Sequence, residues 1–249
     1  MLNKCNEEDF NQIKSAALDR LSPNNVSGFS WGFFAFGVIM TVLSFAGLFP
    51  EDHDSSLFMS LMVSLNLLIL IIQFILTVLF TSKKLAYKFQ KFHSVFLCFI
   101  AFKISIDTYQ FFFGASERFG SPNYLKNSGL LLLLGGIIFM VISTFRVIKR
   151  VEKGELRKSG KGLYDFQNSK GFVSVPIIFG ITILGGVGGR FFSEVSNDIT
   201  AIIALVLGVV IQYSIAMAIP EFFLLAYCKF RFESFKVKRP EGRMRGSKR

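Results

Sequence analysis

Lys103 and Asp107 stand near the middle of an otherwise apolar stretch, FHSVFLCFIAFKISIDTYQFFFG, from Phe92 to Gly114. Two ionisable groups four residues apart lie about 40° apart around an α-helix, within reach of one another. The stretch has the length and composition of a membrane span, where each central charge opposes insertion by about 2.5–3.5 kcal/mol. Two charges therefore oppose it by about 5–7 kcal/mol, against roughly 4–7 kcal/mol in favour from twelve Leu, Ile, Val and Phe residues. Because the sums nearly cancel, the helix needs its ion pair or neighbouring helices to stay in a bilayer. Such a pair either serves a proton, ion or substrate pathway, or locks one helix packing as a satisfied ion pair.

Gln110 falls on the same side as the pair, while Ser94, Cys98, Ser105 and Thr108 lie opposite. A helix polar on two faces is expected to contact protein or water on both rather than lipid. At 1.5 Å per residue, Lys103 lies about 16 Å from one end of its span, and Asn66 about 14 Å from the opposite end of the preceding one. These depths nearly coincide in a core of about 30 Å. The expected intramembrane polar cluster is Lys103, Asp107, Gln110 and Asn66.

The elements that must hold this cluster follow from composition. Of 249 residues, 51% are hydrophobic and 31 are Phe, which places the chain among membrane proteins. Six apolar runs are long enough to cross the hydrocarbon: Trp31 to Phe49, Leu57 to Phe80, Phe92 to Phe113, Ser128 to Ile148, Gly171 to Val187 and Ile199 to Ile219. The fold class expected is an all-α integral membrane protein, a six-transmembrane-helix bundle with an N-terminal amphipathic helix and a basic cytoplasmic tail. Its divisions are a cytoplasmic N-terminal segment, 1–27, the six-span domain, 28–228, and the tail, 229–249. Phe10, Ile13, Ala17 and Leu21 recur at helical spacing after an acidic start, which suits a short helix lying on the membrane surface, docked on a partner, or solvated.

The net charge of +11 is confined to segments between apolar runs, so it signals topology rather than nucleic acid, and no nucleic-acid partner is expected. TSKKLAYKFQK carries four positive charges, Arg146 to Lys170 eight against three negative, and the chain from Lys229 onward nine against two. The other three connections hold three positive charges against six negative. By the positive-inside rule the basic set and both termini are cytoplasmic. The basic segments also suit anionic lipid at that face.

Two further features concern packing. Gly185 and Gly189 in the fifth run permit close helix approach, and Ala204 and Gly208 offer a small surface on the next, so tight packing between these two spans is expected. Glu221 follows Pro220 near the cytoplasmic end of the last run and reads as an interfacial carboxylate, too far from Lys103 to reach it. Pro220 is expected to kink that helix and turn FFLLAYCKF along the surface.

Catalytic chemistry finds little purchase. The two histidines, His53 and His93, fall on opposite sides of the membrane, which excludes a site built from both, and no metal or cofactor is implied. GELRKSGKG has the wrong spacing for a phosphate loop and Gly162 where a hydroxyl residue is required. With no catalytic residue assigned, the first expectation is a non-enzymatic subunit or scaffold that binds other membrane proteins, itself or lipid within a larger assembly. The alternative is a small transporter, channel or permease subunit with Lys103 and Asp107 in the translocation path.

Overall fold

The computed structural model describes residues 2–45, 57–160 and 197–239. The described residues form helices without strands: α1 (Asn11–Leu18), α2 (Val26–Phe45), α3 (Leu57–Thr81), α4 (Lys83–Lys88), α5 (Gln90–Arg118), α6 (Asn123–Glu152) and α7 (Asn197–Arg231). Five of them, α2, α3, α5, α6 and α7, are long and apolar enough to cross a membrane. The expected fifth run, Gly171 to Val187, lies outside the described residues together with Gly185 and Gly189. Helices α2 and α5 begin, and α3, α6 and α7 finish, at one end of the bundle, here termed basal.

Helix α3 shows how the bundle sorts its surfaces. Its buried residues Met59, Val63, Asn66, Leu70, Gln73, Thr77 and Phe80 alternate in steps of four and three, the seam of a left-handed helix pair. Leu61, Leu65, Leu68, Ile71 and Ile75 point outward and are exposed. Polar amides inside and bare Leu and Ile outside invert the amphipathicity of a soluble helix, as a hydrocarbon solvent requires.

Helix α5 is the axis of the bundle. It packs against α2, α3, α6 and α7, most extensively against α7. In its most apolar window 67% of residues are buried, against 22% to 39% for the other four candidate spans. Its exposed stripe, Phe92, Val95, Phe99 and Phe102, is apolar, while Lys103, Asp107, Ser94, Ser105 and Thr108 are buried away from lipid.

Two glycines close helices through left-handed backbone that side chains disfavour. Gly120 (φ 60) follows α5: its N–H reaches the Glu117 carbonyl, and the Ser121 N–H the Ser116 carbonyl. Gly154 (φ 73) repeats the arrangement after α6, with Val151 and Arg150 as acceptors. Both satisfy carbonyls that the helix end would otherwise orphan. Past Pro220, α7 continues as one helix to Arg231. Leu224, Leu225 and Cys228 beyond it are fully buried, so FFLLAYCKF belongs to the bundle rather than to its surface.

What buries them is the N-terminal segment. Phe10, Ile13, Ala17 and Leu21, the stripe expected from spacing, join Leu224, Leu225, Cys228, Leu156 and Phe235 in one basal cluster. Polar ties hold it down. Asp9 pairs with Arg157 at 2.7 Å, the Gln12 N–H donates to the Leu156 carbonyl, and Arg231 donates to the Leu2 and Asn3 carbonyls. Gln90 exchanges two hydrogen bonds with the backbone of Val237, fixing the chain after α7 to the start of α5. Cys5 and Cys228 are buried in the same cluster, and burial pushes the Cys5 thiol up.

The cap is expected to loosen in acid. Burial works against ionising Asp9, but hydrogen bonds from Arg157 and the Asn6 N–H, with the Arg157 charge, hold its carboxyl below the usual range. A depressed carboxylate contributes stability above its unfolded pKa and loses it as pH falls through the folded value. Hydrogen exchange over Asn11–Leu18, corrected for intrinsic rate, should therefore quicken below the carboxylate range. Asp9→Asn should show the faster exchange already at neutral pH.

Candidate functional site

The α2–α3–α5 interface carries polar side chains along its whole length. At mid-depth Lys103 and Asp107 form an ion pair, each side chain 5% exposed. Gly37 brings α2 against it. A Cβ on Gly37 would lie in contact with the pair, 3.5 Å from Lys103 Nζ and 3.6 Å from Asp107 Oδ2, and tightly, at 3.2 Å, against Leu70, so α2 lies directly on the pair here. Among the described residues the pair is mutual: neutral overall and enclosed.

One turn away from the basal end, α3 supplies Asn66, whose Nδ2 donates to Gln110 Oε1 and, at 3.3 Å, to Thr41 Oγ1. Thr41 in turn donates to the Gly37 carbonyl at 2.7 Å. Asn66 and Gln110 thus meet each other rather than the ion pair, and Asn66 Oδ1 and Gln110 Nε2 have no protein partner. Ser94, Ser105 and Thr108 on the other face spend their hydroxyls on carbonyls of α5 itself.

Toward the basal end the seam continues through residues that sequence reasoning passed over. Gln73 and Thr77 are 1% and 0% exposed, yet neither Gln73 amide atom nor the Thr77 hydroxyl has a hydrogen-bond partner. Beyond them His93 stacks on Phe80, centroids 4.2 Å apart and planes 2° apart, and its Nε2 lies 3.3 Å from Ser30 Oγ on α2. The available signal was periodic: Asn66, Gln73 and Thr77 are seven and four apart in a run of Leu and Ile. Spacing of this kind puts all three on one face.

Other expected positions fall elsewhere. Glu221 pairs with Arg20 of the N-terminal segment at the basal end. Ala204 and Gly208 face α5: a Cβ on Gly208 would sit 3.7 Å from the Thr108 carbonyl and 3.8 Å from the Tyr109 ring. The reason is that α5 fills the bundle axis and Tyr109, fully buried, needs that small surface. Beside Gly208 lies a cavity of ≈ 20 Å³ between α2, α5 and α7, room for about one water. Its walls are apolar apart from Thr108.

Close packing elsewhere rests on glycines not singled out by sequence. Gly129 and Gly136 of α6 are seven apart. The Phe112 ring lies on Gly129, and the Gln212 amide on Gly136, from where it donates to the Leu133 carbonyl at 3.1 Å. Missing side chains thereby admit a ring from α5 and an interhelical hydrogen bond from α7.

Fold and site together define a class: a helical bundle with five candidate membrane spans among the described residues and a buried polar seam around its central helix. Comparison with protein-family models, with curated proteins and with solved structures finds no match.

Proposed function

We propose that the protein is an integral, multi-pass membrane protein that moves a small ion or polar solute along the α2–α3–α5 seam, as a transporter, channel or permease subunit. The carrying observation is a run of buried polar groups reaching from His93 and Ser30 through Gln73 and Thr77 to Lys103, Asp107, Gln110 and Asn66. Several keep unmatched donors or acceptors. Such groups are expensive in hydrocarbon and concentrate along pathways. The uneven charge of the connecting segments supports an orientation with both termini cytoplasmic, testable by reporter fusions after α3, α5 and α6.

A second reading, a non-enzymatic subunit or scaffold of a larger membrane assembly, is favoured by the mutual pairing of Lys103 and Asp107, which leaves no charge waiting for a ligand. The double substitution Lys103→Met with Asp107→Leu separates the two. Transport predicts a folded, correctly assembled variant whose uptake falls by about tenfold or more; a lock predicts retained assembly and activity. Purification in mild detergent complements it, because a partner-free monomer would count against the scaffold.

A further inference from the structure

We infer that the seam conducts protons, and that Gln73 and Thr77 hold the water that links His93 to the Lys103–Asp107 pair. The inference rests on the transport reading and names its substrate.

On α5, His93 and Lys103 are ten residues apart, about 15 Å along the axis. The buried α5 residues between them on this side, Phe96, Leu97 and Ile100, are apolar and offer a proton nothing. Helix α3 supplies what α5 lacks over the same interval. Below Gln73 and Thr77 in the buried stripe, Phe80 stacks on His93; above them Leu70 reaches the Gly37 surface against which Lys103 and Asp107 also lie. The α3 stripe thus places the Gln73 amide and Thr77 hydroxyl between the two ionisable levels.

Gln73 offers a carbonyl acceptor and an N–H₂ donor and Thr77 a hydroxyl, three partners for bound water. Their side chains make no use of one another or of the protein. At the charged level Leu70 occupies the α3 position, so the route must pass through Asp107 and Lys103 themselves. Beyond it Asn66, Gln110 and Thr41 carry the polar run onward. A proton can cross a packed interior by exchange between water and side chains, whereas a hydrated metal ion requires a bore. Among the described residues Lys229 of α7 also places a charge near this path, at the His93 end. Each transfer moves one proton from donor oxygen or nitrogen to the next acceptor, with no oxidant or reductant involved.

The test uses the full chain in vesicles of phosphatidylethanolamine and phosphatidylglycerol enclosing a pH-sensitive dye, with valinomycin and a potassium gradient driving proton entry. Expected is flux above protein-free vesicles that falls at least tenfold in Gln73→Leu with Thr77→Val, and persists in Gln73→Asn and in Thr77→Ser. The double variant removes unpartnered buried polar atoms, so it should fold at least as stably as the parent. If it fails to fold, the single variants Gln73→Met and Thr77→Val take its place. Unchanged flux in the folded variants overturns the inference. So does absence of proton flux, and tracer uptake of Na⁺, K⁺ and Cl⁻ in parallel vesicles then separates two failures. Lys103- and Asp107-dependent tracer uptake would leave the transport reading standing; no uptake of any kind would sink both.

Discussion

Replacing Lys103 with Met while Asp107 remains is expected to destabilise the bundle by about 3–5 kcal/mol, because a carboxylate is left buried with no opposite charge. The pair is 5% exposed on each side, so water cannot take over the role of the ammonium. Asp107→Leu with Lys103 retained should be similarly damaging. The double substitution should restore stability to within about 1 kcal/mol of the parent, or exceed it, since two desolvated charges are exchanged for apolar side chains. Unfolding in mixed micelles by increasing denaturing detergent would read all four forms. Equal loss in the single and double variants would show that the pair is not the element holding α5 in register.

The second large effect is expected at Gly129. A Cβ there would fall on the ring of Phe112, which is 0% exposed and flanked by Phe113 at 5.1 Å between centroids. The ring is rigid and has no open space to enter, so Gly129→Val should lie at the upper end of the roughly 1–3 kcal/mol that overpacking a filled interior costs. Shrinking the obstacle should relieve it: Phe112→Leu in the Gly129→Val background is expected to recover stability relative to Gly129→Val alone. A double-mutant cycle in the same detergent titration measures this coupling. Additive losses would mean that α5 and α6 do not meet as described. Gly136→Ala should be milder, because the Gln212 amide ends a flexible side chain, although it would forfeit the bond to Leu133.

Much of the architecture was legible one helix at a time. Lys103 and Asp107, four apart in a marginal span, required a partner for each charge and protein around the helix, and α5 is the most enclosed of the candidate spans. Local pattern does not say which neighbour will be met. Asn66 reads as level with Lys103, but its amide bonds Gln110 and Thr41, because Gly37 and Leu70 take the space beside the ion pair. Gln73 and Thr77 were readable as part of a seven-residue spacing, yet a polar residue in an apolar run gains meaning only when both its neighbours on that face are known. Gly129 and Gly136 carried less signal still, for what makes them important is the ring and amide delivered by α5 and α7.

Pro220 shows the limit of local rules most directly. Proline removes one backbone donor and crowds the preceding turn, which argues that the residues after it leave the line of the helix for the surface. Tertiary burial of Leu224, Leu225 and Cys228 outweighs that penalty, and the helix continues. The apolar stripe of the N-terminal segment was equally visible, but its landing place is some 200 positions further along the chain.

That separation has a consequence for biogenesis. The pocket receiving Phe10, Ile13 and Ala17 is completed by Leu224, Leu225 and Cys228, which leave the ribosome about 10–40 s later at ordinary elongation rates of 5–20 residues per second. Over that interval Phe10 and Ile13 wait undocked, and their seating reports that α7 has arrived.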